Sequence, residues 1–233
     1  MKKTISILII VCIVLSSIIF IINKYKVDMK YYLNIVIQHV QHIKSVKVPE
    51  EYSKVDNNKN GIPDCLDIVD SARKEAINKT KYVDAYYQGG YPPDSEGVCT
   101  DVIWRGFKGM GVDLKSAIDK DIKNNLSAYP RVENKPDPNI DFRRVKNMDI
   151  FFKRNAISAT KELKPFDVEN LKQWQPGDIV VIMQPFEHIA IVSDKRGSDG
   201  VPYVIHNTTP NAKESASLNY WAPYIYGHYR WKY

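Results

Sequence analysis

Cysteine is scarce in this chain: 233 residues carry three, Cys12, Cys65 and Cys99. Cys12 lies inside an apolar N-terminal run and reads as a small packing or lipid-facing residue, which leaves two for everything that follows. Two thiols admit one disulfide at most, so a small scaffold stapled by several bridges is excluded. Arginine-rich tracts and recognisable nucleic-acid motifs are also missing, although the net charge is +6 and the pI about 9.0. That balance favours anionic surroundings such as lipid headgroups or an anionic cell wall, with nucleic acid the weakest of the three. The lysines are scattered, as on a solvated surface. A small-x-small cleavage site is absent from the end of the N-terminal apolar run.

The run itself is the longest feature present. Met1-Lys2-Lys3 precede an apolar stretch from Ile5 to Ile22, softened by Ser6, Ser16 and Ser17. A helix of that length spans the ~30 Å hydrocarbon core of a bilayer. The leading lysines expect a cytoplasmic start, and Lys24 and Lys26 beyond the run keep that signal modest. A retained signal-anchor over residues 1–23 is the expectation, with a single pass through a bacterial cell membrane and the rest of the chain outside. Secretion after cleavage is the alternative. Residues 24–48 carry Val27, Tyr31, Ile35, Val36 and Ile43 at mostly helical spacing, which predicts a juxtamembrane stalk helix. His39 and His42 sit one turn apart there and read as solvated.

Residues 49–70 hold a calcium-type loop. Asp56, Asn58, Asn60, Asp64 and Asp67 stand at loop positions 1, 3, 5, 9 and 12, with the Ile62 carbonyl at position 7 and Gly61 at the turn. Calcium is a hard cation wanting six to eight oxygens, and short side chains at alternate positions can wrap one. Asp67 is shorter than the usual capping glutamate. A helix is expected from Leu66 to Lys79 after the loop, with no clear helix before it. A structural calcium ion is weighed against a polar, Asn-rich turn that binds nothing.

Three later segments bear chemistry. Tyr86-Tyr87-Gln88-Gly89-Gly90 leads through a loop to Cys99, after which Val102, Ile103 and Phe107 form an apolar helical face that Gly109 and Gly111 end. Cys99 is thus expected at a helix N-terminus, where unpaired N–H groups favour a thiolate and can hold an oxyanion. Trp174-Gln175-Pro176-Gly177-Asp178 enters the apolar strand Ile179–Ile182, and His188 opens the strand after it. A third strand, from Pro202, carries His206 near its end. A neutral imidazole can take the thiol proton and later protonate a leaving amine, while a second polar group orients it.

Tyr86 with Gly89-Gly90, Cys99 opening a helix, Pro176-Gly177-Asp178 before a strand and His188 starting the next resemble the NlpC/P60 pattern. The segments Gly97–Val102, Asn139–Val145, Trp174–Asp178 and Gly227-His228-Tyr229-Arg230 resemble more closely DUF1287, a bacterial family of unknown function regarded as an NlpC/P60-like relative. The likeness runs from about Ser71 to the C-terminus. It implies an α+β, papain-like catalytic domain over residues 71–233, with the Cys99 helix packed on an antiparallel sheet. It implies amide hydrolysis, most often of peptidoglycan stem peptides, with Cys99 as nucleophile, His188 as base and His206 as orienter. By the same mapping Tyr86 lines the oxyanion site. Val98 and Thr100 depart from the Asp and Ser that the NlpC/P60 superfamily usually has on either side of the cysteine. No cofactor is required by this chemistry.

Arg143 and Arg144 suit the carboxylates of stem peptides, or else pair with Asp141 or Asp149. His228 and Arg230 read as structural residues of a final strand. Two further readings stand beside the hydrolase: Cys99, His188 and His206 binding zinc with an open site for water, and a non-catalytic wall-binding module of the same fold.

Overall fold

The computed structural model describes residues 45–233. The expected anchor and all of the expected stalk up to residue 44 lie outside the described residues. Among the described residues, no helix is long and apolar enough to cross a membrane.

The fold is mixed α+β, built on one eight-stranded sheet. Strands are β1 (Lys81–Tyr82), β2 (Glu96–Gly97), β3 (Ile157–Ser158), β4 (Ile179–Ile182), β5 (His188–Arg196), β6 (Pro202–Thr208), β7 (Asn211–Ser215) and β8 (Ile225–Arg230). Their spatial order is β2-β1-β7-β6-β5-β4-β8-β3, and every pairing is antiparallel except β1 with β2. The longer helices are α1 (Asp64–Ile77), α2 (Cys99–Gly109), α3 (Leu114–Asn124) and α4 (Val145–Asn155). Two short helices follow, α5 (Val168–Leu171) and α6 (Leu218–Trp221).

Period-two alternation divides the core between the two faces of the sheet. Ile179, Val181, Ile189, Ile191 and Ile205 pack with Ile68 and Val69 of α1, Val102, Ile103 and Phe107 of α2, and Met148 and Phe152 of α4. Val180, Ile182, Ala190, Val192 and Val204 point the other way and pack with Trp174, Leu218 and Trp221. Both faces of the central strands are covered, which is why β4 reads as a continuous apolar run. Helices α1 and α2 lie close because Gly109 has no side chain: a Cβ there would meet the Asp67 carbonyl at 2.7 Å.

Residues 46–48 extend along the domain rather than closing a stalk helix: the Val46 N–H donates to the Ser198 carbonyl at 2.9 Å, and Val48 is buried against Leu171 and Trp174. Helix α1, which follows the calcium-type loop, is part of the same core. Val46–Tyr233 forms one compact unit.

Candidate active site

Helix α2 starts where the sequence places it, with Cys99 as its first residue and Val98 in extended conformation before it. Asp101, two residues on, is wholly buried and organises that start. Its carboxylate accepts the Val98 N–H at 2.7 Å and the Trp104 indole N–H at 2.8 Å. Arg143 closes the arrangement with two parallel bonds at 2.8 Å, from Nε to Oδ1 and from Nη2 to Oδ2. Its remaining Nη1 donates to the Ala85 carbonyl, and Thr100 Oγ1 donates to the Arg143 carbonyl. Arg143 is thus a buried buttress of the start of α2, and Asp101 rather than Asp141 or Asp149 is its partner. Arg144 pairs with Asp141 at 3.3 Å. Gly97 is dictated by the same packing, since a Cβ there would meet Asp101 at 2.9 Å.

The chain before α2 is seated in a local opening of the sheet. The β5–β6 ladder runs from Ile191–Ile205 to Arg196–Pro202 and does not include His188, Ile189 or Ala190, the first residues of β5. Asn207 Nδ2, fully buried, donates to the Gly97 carbonyl at 3.0 Å, and the Ile189 backbone lies near enough to Cys99 to favour its thiolate. The backbones of Thr100 and of Cys99 itself act in the same direction. Burial nevertheless dominates and pushes the thiol up to about 12. The expectation that a helix N-terminus would yield a standing thiolate is outweighed by desolvation.

His188 and His206 meet directly. His188 Nε2 and His206 Nδ1 are 2.8 Å apart, and the rings cross almost at right angles. Trp221 lies against both, with ring centroids at 5.1 Å and 5.0 Å, and Phe186 flanks His188 at 5.9 Å. Burial, aided by the charge of Lys213, pushes His188 down to about 4. Burial, then His188 and Lys213, push His206 down to about 3. Both rings are neutral at physiological pH. Among the described residues no hydrogen bond joins Cys99 to either imidazole; the β5 residue whose backbone acts on Cys99 is Ile189, next to His188.

A family model described as a domain of unknown function, DUF1287, matches residues 69–231. The chain is also 35% identical over 197 residues to the uncharacterized protein YijF of Escherichia coli strain K12, covering 81% of this chain and 90% of that protein. The chain belongs to the DUF1287 family.

Other candidate residues of this DUF1287 domain sit differently from the sequence expectation. The Tyr86 side chain is exposed, and its hydroxyl is engaged with Asp137 at 3.1 Å and with Asn139 Nδ2 at 2.8 Å. Tyr82 is the tyrosine coupled to Cys99: burial, then the nearby Cys99 and Asp84, raise its phenol. The signal for Tyr82 is topological, because β1 pairs with β2 and sets Tyr82 opposite Gly97, two residues before the cysteine. Pro176-Gly177-Asp178 serves the fold. Asp178 accepts from the Gln175 N–H and Arg230, and faces His228 Nε2 at 3.0 Å, while Trp174 stacks on His228 at 3.9 Å.

Cys65 and Cys99 are both free. Among the described residues, no three His, Cys, Asp or Glu side chains are placed to hold a metal ion. For a Cys99–His188–His206 zinc site the geometry is adverse in a specific way, since the facing nitrogens of the two imidazoles bind each other.

The calcium-type loop is closed on itself. Asn58 and Asn60 donate through Nδ2 to Asp67 at 2.7 Å and 2.9 Å, and Asp56 accepts the Asn60 and Gly61 amides. Asp64 is turned away, accepting from the backbone and side chain of Asn57. The structure therefore gathers Asp56, Asn58, Asn60 and Asp67 but not Asp64. An ion would require the two amides to present oxygen instead of nitrogen, an inexpensive flip. Calcium added to chelator-stripped protein is expected to raise the melting temperature by several degrees; an unchanged midpoint identifies the loop as a turn only.

Proposed function

We propose that this protein is an extracytoplasmic cysteine amidase or peptidase of the papain-like NlpC/P60 type, acting on peptidoglycan stem peptides. The observation that supports the reading most is the buried His188–His206 pair, 2.8 Å apart, with His188 on a strand whose next residue, Ile189, neighbours the buried Cys99 at the start of α2. The N-terminal apolar run supports attachment to the outer face of the cell membrane. The positive net charge of +6 suits an anionic wall.

The chemistry follows from the charge states. With His188 Nε2 occupied by His206, only Nδ1 is left to act as the base. It takes the thiol proton as the sulfur attacks the amide carbon, so no standing ion pair is needed. Hydrogen bonds of this kind are commonly long without substrate and tighten when it binds. The oxyanion forms beside the α2 amides and the Ile189 N–H, with the Tyr82 hydroxyl as a further donor. His188 returns the proton to the leaving amine, which departs and leaves a thioester. A water molecule, deprotonated by His188, attacks the thioester; the product leaves as a carboxylic acid and the thiol is restored.

Incubation of the full chain with purified peptidoglycan, followed by mass analysis of the soluble products, tests the proposal. Wild-type protein is expected to release peptide fragments. Cys99→Ala is expected to reduce release by at least about a thousandfold, with an unchanged melting temperature. Equal release by the variant would overturn the assignment.

A further inference from the structure

The dyad does not end at His206. On its far side, His206 Nε2 lies 3.0 Å from Ser215 Oγ of β7, and Ser215 Oγ lies 2.8 Å from Ser217 Oγ. Trp221 packs across both imidazoles. Ser215 is the partner available to His206 Nε2 beneath that cover, and Ser217 is half-buried, so the row of polar atoms runs from the dyad toward the surface. Lys213, which sits opposite His206 in the β6–β7 ladder, is the charged group that acts on both rings.

A neutral imidazole holds one proton, and its two nitrogens cannot be chosen independently. If His188 Nδ1 is to receive the thiol proton, the proton of His188 must sit on Nε2 and point at His206 Nδ1. His206 Nδ1 must then accept, so the proton of His206 sits on Nε2. That N–H needs an acceptor, and the atom facing it is Ser215 Oγ.

We propose that Ser215 is a positioning residue that sets the tautomer of both histidines: its hydroxyl oxygen accepts the His206 Nε2–H and its own hydrogen is directed to Ser217 Oγ. This rests on the reading of His188 as the general base. The opposite register, with Ser215 donating to His206 Nε2, would put the His188 proton on Nδ1, facing away from His206, and remove the base. Ser215 thus decides, from two residues away, whether His188 can accept a proton.

Histidine-labelled full-length chain, observed by long-range proton–nitrogen correlation at pH 7, reads the tautomers directly. The rate of Cys99 alkylation by iodoacetamide, followed by peptide mass analysis, reads the consequence. Wild-type protein is expected to hold protons on Nε2 of both rings. In Ser215→Ala the His206 Nε2–H loses its acceptor, His188 is expected to move to the Nδ1–H form, and Cys99 alkylation to slow by about tenfold or more, within the range of general-base effects. Ser215→Thr restores both. A wild-type His188 protonated on Nδ1 overturns the proposal without any variant. So does a folded Ser215→Ala that keeps the His188 tautomer and alkylates within about twofold of wild type, a result that leaves the serine a purely structural role. The hydrolase reading fails separately: wild-type Cys99 would then alkylate no faster than Cys65, with no change in His188→Ala, while the wild-type tautomers still decide the role of Ser215.

Discussion

Arg143→Ala is expected to destabilise the domain by about 3–5 kcal/mol, the range for removing one partner of a buried ion pair. Arg143 and Asp101 are each 1% exposed, so the substitution strands a carboxylate in the core. Asp101 would retain its bonds from Val98 and Trp104 but lose both guanidinium bonds. Arg143→Lys is expected to recover little, because a point charge cannot serve both carboxylate oxygens in parallel and also reach the Ala85 carbonyl. Since a domain of this kind is stable by roughly 5–15 kcal/mol, the urea midpoint should fall markedly. The start of α2 should also loosen, and with it the placement of Cys99. A loss below about 1 kcal/mol in Arg143→Ala would show that the pair contributes nothing beyond what packing already supplies.

Acid is expected to unfold the protein through the histidine dyad. His188 and His206 are held down at about 4 and about 3, whereas an unfolded histidine titrates near 6.5. Between those values the unfolded chain binds protons that the native dyad refuses. Stability is therefore at its full value above about pH 6.5 and falls as pH drops toward the folded values. The linkage amounts to about 2 kcal/mol per histidine by pH 5. Glu214 titrates in a different window: Arg73, Lys195 and Ser193 outweigh its burial and hold it at about 2, so its contribution is lost only below the ordinary glutamate range. Melting temperatures between pH 7 and pH 5 should decline in the wild type, and His206→Asn should flatten the slope by roughly half. A flat profile in the wild type would mean that the native dyad takes up protons in step with the unfolded chain, as solvated histidines do.

Much of the fold is written in local pattern. The face Val102–Ile103–Phe107 marks α2, and Asp113, which accepts the Ser116 N–H, caps α3. The apolar run Ile179–Ile182 and the turn signals around it mark the β4–β5 hairpin, and His188 does open its second strand. These features depend on neighbours within a turn or a hairpin, so periodicity reports them directly. The DUF1287 motifs are legible for the same reason: each is a short contiguous segment.

The partners of those motifs are not legible. Arg143 lies 42 residues from Asp101, and from sequence its fork could serve a substrate carboxylate as readily as a buried one. Tyr82 comes opposite Gly97, two residues before Cys99, because a two-residue strand pairs with Glu96–Gly97, a register too short to leave a periodic trace. The thiol's charge state turns on burial, which opposes the dipole argument and exceeds it.

Residue order alone sufficed for the α+β class, the helix beginning at Cys99, the strands bearing His188 and His206, and membership of DUF1287. The folded chain was needed to show that the two imidazoles bond to each other, that Asp101 and Arg143 hold the start of the Cys99 helix, and that Ser215 stands behind His206. The division has one physical cause. Backbone conformation follows from residues a few positions apart, whereas charge state and hydrogen-bond partnership depend on burial among segments brought together by the sheet.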